Sequence, residues 1–247
     1  MNQNVIIVGA ASGIAEAVAR RYAEQNARIF LVARNMSKLQ AISADLVARG
    51  AHEVVTYVMD ANETDCILQM TDAAWKALGN IDVALVAHGT LPDQQRTERD
   101  ISYATAEFRT NAESVIACLA ALAQCMEPQG MGVLAVIGSV AGDRGRPSNY
   151  LYGAAKAALD TYASGLRARL FKSGVHVLII KPGFVATAMT ADLNLPARLT
   201  ATPARVACDI QHAISKKKDV LYTPWFWRWI ILIICWIPSF IFKRLKL

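Results

Sequence analysis

Paired cysteines are missing from this sequence. The five it has (Cys66, Cys118, Cys125, Cys208 and Cys235) stand apart, with no C-x-x-C among them. That spacing excludes a disulfide framework and a thiolate metal centre. The four histidines, His52, His88, His176 and His212, are equally dispersed, so no metal site is expected. Apolar surroundings argue against a catalytic thiol, and unpaired cysteines fit a reducing, cytosolic setting. No repeat of about 20–50 residues and no low-complexity linker is visible, so a single domain is expected. The segment from Met1 to Asn4 has no basic group before the first apolar run, and no secretory signal is expected.

A uniform excess of positive charge is also missing. Of 26 lysines and arginines and 20 acids, residues 216–247 hold seven bases (Lys216, Lys217, Lys218, Arg228, Lys243, Arg244 and Lys246) and one acid, Asp219. Residues 1–215 are therefore neutral, and the net charge of +6 belongs to the end of the chain. Without a basic body, nucleic acid is not an expected partner. The tail also lacks an apolar run that would span a bilayer, which takes roughly 20 residues. Its longest run, residues 229–237, ends at Pro238. Trp225, Trp227, Trp229 and Trp236 with their basic flanks suit an interfacial anchor on an anionic leaflet. Burial against a second subunit is the alternative. The anchor reading places the protein on the cytoplasmic side of the inner or plasma membrane, peripheral or monotopic.

What is present is alternation. Apolar runs at residues 5–8, 28–33, 53–58, 81–87, 131–138, 175–180 and 219–222 are separated by helical patterns ending near residue 25 and at 37–49, 64–78, 103–125, 149–171 and 202–215. With 247 residues, 54% of them hydrophobic, this predicts an α/β fold. The expected architecture is a Rossmann-type, doubly wound parallel sheet in three αβα layers. It occupies residues 1–222 as one domain and is followed by an apolar tail, 223–247. Ser37 is placed to cap the second helix, and Thr202-Pro203 to open the last. Residues 92–100 read as loop. Residues 184–201, broken by Asn194 and Pro196, read as a mobile lid over a substrate.

The first apolar run leads into Gly9-Ala10-Ala11-Ser12-Gly13-Ile14-Ala15. A strand, a glycine turn and a helix make an anion site, because unpaired N–H groups at the helix start face a phosphate. Gly9 allows the tight turn and Gly13 a close backbone approach, while Ala15 stands where a third glycine is common. An ordinary strand–helix turn is the alternative, but a second strand follows at the expected distance. That strand ends at Arg34 rather than at a carboxylate. An arginine there can pair with the extra phosphate of NADP, so NADPH is expected over NADH; a strand-end charge is the bland alternative. Asp60, after the third strand, can accept from an adenine amino group.

Tyr152 and Lys156 are four apart in a predicted helix, hence on one face. An ammonium so placed favours the ionised phenol and lowers its pKa, and a tuned phenol can exchange a proton with a substrate oxygen. Ser139, at a strand end, can hold that oxygen. Tyr150 has Ala154 as its partner at this spacing, which cannot tune a phenol. Asn111 interrupts an otherwise apolar helix and needs a reason to be there.

In combination, Gly9-x-x-x-Gly13-Ile14, Asn111, Ser139, Tyr152, Lys156, Pro182-Gly183 and Thr187 resemble the short-chain dehydrogenase/reductase family over residues 4–222. The resemblance implies reduction of a ketone to a secondary alcohol, with Tyr152 as general acid/base. Lys156 would lower its pKa and hold the nicotinamide ribose, Ser139 would orient the carbonyl, and Asn111 would hold a relay water. It also implies cofactor contacts from Gly9, Ala11, Ser12, Gly13, Ile14, Arg34, Asp60, Ala87, Gly89, Pro182, Gly183 and Thr187, and a homo-oligomer. His88-Gly89 departs from the family's usual Asn-Ala-Gly. A narrower likeness lies in residues 139–149, in the loop at 88–93 and in the tail. It is to the reductases that act after an FAD-dependent oxidase on decaprenylphosphoryl 2-keto-ribose. This would make the substrate lipid-linked, with Arg144 and Arg146 pairing with its phosphodiester and the oxidase a possible partner. Solvated loop charges are the alternative for the two arginines; a long-chain 3-keto lipid is the alternative substrate. A non-enzymatic NADPH sensor is the competing class.

Overall fold

The computed structural model describes residues 2–245. Met1 and Lys246, both used above, lie outside the described residues. Among the described residues there are nine strands: β1 (Asn4–Val8), β2 (Arg28–Ala33), β3 (Glu53–Val58), β4 (Val83–Val86), β5 (Val133–Ile137), β6 (His176–Pro182), β7 (Phe184–Val185), β8 (Thr200–Ala201) and β9 (Val220–Thr223). The helices are α1 (Gly13–Ala23), α2 (Met36–Ala48), α3 (Ile67–Leu78), α4 (Gln94–Thr97), α5 (Ile101–Phe108), α6 (Ser114–Gln129), α7 (Tyr150–Leu170), α8 (Pro203–Ser215), α9 (Trp227–Trp236) and α10 (Ser239–Phe242).

Seven strands form one parallel sheet in the order β3-β2-β1-β4-β5-β6-β9. Side chains alternate between its faces. Val5 and Ile7 of β1 join a core with α1, α2 and α8, while Ile6 and Val8 join another with α3, α6 and α7. Both faces are covered, which is why the strands read as unbroken apolar runs. The strand order reverses between β1 and β4, and the crevice beyond their carboxyl ends is where this architecture binds ligands.

Three local features differ from the sequence reading. Asn35, not Ser37, caps α2: its backbone is extended and its side chain accepts from the Lys38 N–H at 2.9 Å. The helix expected over 103–125 is broken by a π-turn at Arg109–Glu113 between α5 and α6, within which Asn111 bonds both Thr90 and the Glu107 carbonyl. The stretch read as loop contains α4, capped by Asp93. Elsewhere β2 and β3 coincide with their predicted spans, and Thr202 caps α8 by accepting from the Arg205 N–H.

The segment 184–201 is closed at its base by β7 and β8, which pair with each other in parallel. Beyond β9, α9 lies against the domain with Trp227 and Ile231 buried. No helix among the described residues is long and apolar enough to cross a membrane.

Candidate active site

A cleft of about 470 Å³ opens at the switch point, and the turn between β1 and α1 forms its floor. Gly9 has φ +83°, and a Cβ there would come within 2.5 Å of the His88 backbone nitrogen. At Gly13 a Cβ would meet the Thr187 methyl at 3.1 Å. Only glycine keeps this turn tight and close to β4. Ser12 caps α1 by accepting from the Ala15 N–H, so the first free amides of the helix face the cleft as an anion site.

At the β2 end, Arg34, Asn35, Lys38 and Asp60 line the same cleft. Arg34 is largely exposed and lies 3.6 Å from Asp60. Asp60 also accepts from the Asn62 N–H at 3.0 Å, and this carboxylate fixes the turn after β3. Lys38 was not singled out from sequence. No local pattern marks it, because Arg34 precedes the helix that carries Lys38 and their four-residue spacing does not put them on one helix face.

Ser139, Tyr152 and Lys156 line the opposite half. The Ser139 hydroxyl is near enough to Tyr152 to act on its phenol, and its Oγ accepts from the Ala141 N–H at 3.1 Å. Lys156 is buried; its Nζ donates to the Ile137 carbonyl at 3.1 Å and lies 5.6 Å from the Tyr152 ring centroid. The expected depression of the phenol by Lys156 is not what this geometry gives. Burial pushes Tyr152 up to about 12, and the opposing influence is the Ser139 hydroxyl. The ammonium donates to the Ile137 carbonyl, and Lys156 is not among the influences on the phenol. Burial also pulls Lys156 itself down to about 8, partly resisted by the Asp160 carboxylate one helical turn later.

Asn111 is buried but does not line the cleft. Its amide donates to Thr90 Oγ1 at 2.9 Å and to the Glu107 carbonyl at 3.0 Å, and its Oδ1 accepts from the Thr90 N–H at 2.9 Å. Both amide hydrogens are thus taken, leaving one Oδ1 lone pair for a water. The visible work of Asn111 is to fasten the loop after β4, where Gly89 leaves only enough room for it. His88, beside it, accepts from or donates to Ser114 through Nε2 at 2.9 Å, and burial lowers its pKa to about 4.

The two arginines expected at the substrate mouth separate. Arg146 lines the cleft with its Nε buried and unbonded, and burial lowers its pKa. Asn149, also lining the cleft, has an unbonded Oδ1. Arg144 is turned away: its Nη1 donates to the carbonyls of Ile234, Cys235 and Ile237, and its guanidinium stacks 3.8 Å from the Phe242 ring centroid. These carbonyls at the end of α9 take up the charge that was expected to meet a phosphodiester.

Residues 3–197 match the short chain dehydrogenase family. The chain belongs to that family. An uncharacterized oxidoreductase of Mycobacterium tuberculosis is 39% identical over 241 residues, covering 98% of this chain and 96% of the relative. One from Streptomyces coelicolor is 31% identical over 244 residues, with the same coverages. In fold, levodione reductase superposes with TM-score 0.79 at 23% identity, covering 90% of this chain and 97% of its own. A short-chain type dehydrogenase/reductase from Mycobacterium marinum superposes with TM-score 0.83 at 21% identity, covering 91% and 95%. Short-chain dehydrogenases bind NAD(P)(H), and the residues present here fit such a group. The Gly9–Gly13 turn leaves a cradle that a Cβ would fill, and every predicted cofactor residue lines the cleft: Gly9, Ala11, Ser12, Gly13, Ile14, Arg34, Asp60, Ala87, Gly89, Tyr152, Lys156, Pro182, Gly183 and Thr187.

Proposed function

We propose that this oxidoreductase uses NADPH to reduce a ketone, carried on a hydrophobic substrate, to a secondary alcohol. The observation that carries the proposal is that Ser139, Tyr152, Lys156 and the glycine turn all line one cleft at the switch point of the sheet. NADPH, when bound, supplies the hydride. Ser139 and Tyr152 then offer two hydroxyls to the carbonyl oxygen, and the phenol of Tyr152 gives it a proton. A phenol raised to about 12 keeps its proton at neutral pH, the state a donor needs. Lys156 faces the same cleft as a buried cation, placed to hold ribose hydroxyls. Asn111 keeps the Gly89-Thr90 segment in position. Arg34 with Lys38 supports NADPH over NADH by offering two cations where a 2′-phosphate would lie.

For the substrate, Arg146 and Asn149 contribute a donor and an acceptor near Tyr152, and Leu91, Met189 and Leu193 contribute apolar wall. A polar or anionic head on a greasy chain suits this lining. A polyprenylphosphoryl 2-keto-pentose, made by an FAD-linked oxidase, is the form to test first; a long-chain 3-keto lipid is the second. The outer face of the C-terminal segment supports a membrane surface as the place of work. Trp225, Trp229, Ile233, Trp236 and Phe240 are exposed there beside Arg228, Lys243 and Arg244, a combination that favours an anionic leaflet.

The test is turnover. Tyr152→Phe should lower kcat by ~10²–10⁴-fold, the usual worth of general acid catalysis, with NADPH binding retained. Near-normal turnover in that variant would refute the assignment.

A further inference from the structure

The helix α9 lies against the active site through contacts that a mere anchor does not require. Its first residue, Trp227, occupies the space a Cβ of Gly183 would take, with indole atoms 2.0 Å from that position. The same ring packs edge-on to Phe184 at 5.0 Å, and its N–H donates to the Leu199 carbonyl at 3.4 Å. Trp227 thus touches the Pro182-Gly183 segment that lines the cofactor cleft and both ends of the 184–201 segment. With Ile231 it also buries Val140, the neighbour of Ser139.

The far end of α9 is held as firmly. Arg144 closes its terminal carbonyls, and the Cys235 thiol lies 3.5 Å from the Asp143 carbonyl oxygen. Residues 139–144 form one short strut. Gly142 abuts α7 so closely that a Cβ would sit 2.9 Å from the Lys156 carbonyl carbon, and at Gly153 a Cβ would sit 2.8 Å from the Ala141 oxygen. Asp143 binds Lys181 at 2.5 Å, and Lys181 binds Asp160 of α7 at 2.7 Å. A continuous path of contacts therefore runs from α9 to Ser139, Lys156 and Gly183.

We propose that α9 is a positioning element of the active site, with Trp227 and Arg144 as its positioning residues. Docked, it holds the Ser139–Arg144 strut, the Pro182-Gly183 segment and the base of the 184–201 segment in one arrangement. The proposal applies whatever covers the outer face of the helix. Its kinetic test rests on the reductase reading; its structural test does not.

Full-length Arg144→Ala, Trp227→Leu and the double variant are compared by hydrogen exchange without cofactor. Exchange should rise across 139–149 and 184–199 in each single variant, while β1–β3 stay protected. A rise confined to 225–242 would overturn the proposal. In turnover of a small water-soluble ketone, each single variant should lose on the order of 10²-fold in kcat, the scale of a misplaced catalytic group. The double variant should be no worse than the worse single, because both changes release one helix. Affinity for 2′,5′-ADP, which does not reach the nicotinamide end, should be unchanged, and Arg144→Lys should recover most of the activity. Multiplying losses, or 2′,5′-ADP binding that falls in step with kcat, would show general damage and overturn it. If wild-type protein reduces no ketone, the reductase reading fails while the exchange result still decides the role of α9.

Discussion

At the scale of single residues, burial rather than the Lys–Tyr spacing sets the protonation states of the site. Tyr152 is pushed up to about 12 and Lys156 down to about 8. For Lys156 the sign is direct: the cation is complete below about pH 8 and is lost above it. The kcat/KM for NADPH at saturating ketone, which reports on the free enzyme, should therefore fall above about pH 8. A profile flat to pH 10 would show that the Lys156 charge does not matter. Arg34 gives a second prediction. Arg34→Asp should repel a 2′-phosphate while accepting from ribose hydroxyls, so the NADPH/NADH preference measured by titration should invert. Equal wild-type affinities would reduce Arg34 to a strand-end charge. Ser139, Tyr152 and Lys156 were legible because one strand end and one helix turn determine where they point. Arg144 was not. Its acceptors are 90 or more residues away, and no local pattern announces them.

Among elements, the sheet was the most legible because each parallel strand is buried on both sides and shows an apolar run. Departures came where side chains override the local pattern. Asn35 outcompetes Ser37 by capping one residue before Met36, and Asn111 sits in a π-turn where it bonds Thr90. The Asp143–Lys181–Asp160 cluster was equally hidden, its members coming from three elements. Burial works to lower the Lys181 pKa, but hydrogen bonds to Asp143 and Asp160 outweigh it and hold the value above the usual range. Removing the shared cation would leave two poorly solvated carboxylates. Lys181→Ala should lose about 3–5 kcal/mol in urea unfolding, as for other broken buried pairs. A loss under about 1 kcal/mol, the usual worth of an exposed pair, would show the cluster to be well hydrated.

On the scale of the whole molecule, the charge asymmetry read from the sequence acquires a location. The neutral body carries α9 on the same side as the 184–201 segment, joined through Trp227, Phe184 and Leu199. A surface that engages Trp229 and Trp236 would meet the molecule on the helix that is joined to that segment. Trp229→Ser with Trp236→Ser should weaken sedimentation with anionic vesicles and leave turnover of a soluble ketone intact, since neither residue faces the site. Conversion of a defined oligomer to monomer, with vesicle binding unchanged, would assign this face to a second subunit instead. None of these results bears as closely on the reaction as the fate of the transferred hydrogen. NADPH carrying deuterium at C4 on the transferred face, mixed with the protein and a keto substrate, should place deuterium on the carbinol carbon of the product. Tyr152→Phe should slow that transfer by at least ~10²-fold. Deuterium absent from the product while NADPH is consumed, or unchanged transfer by Tyr152→Phe, would contradict the account.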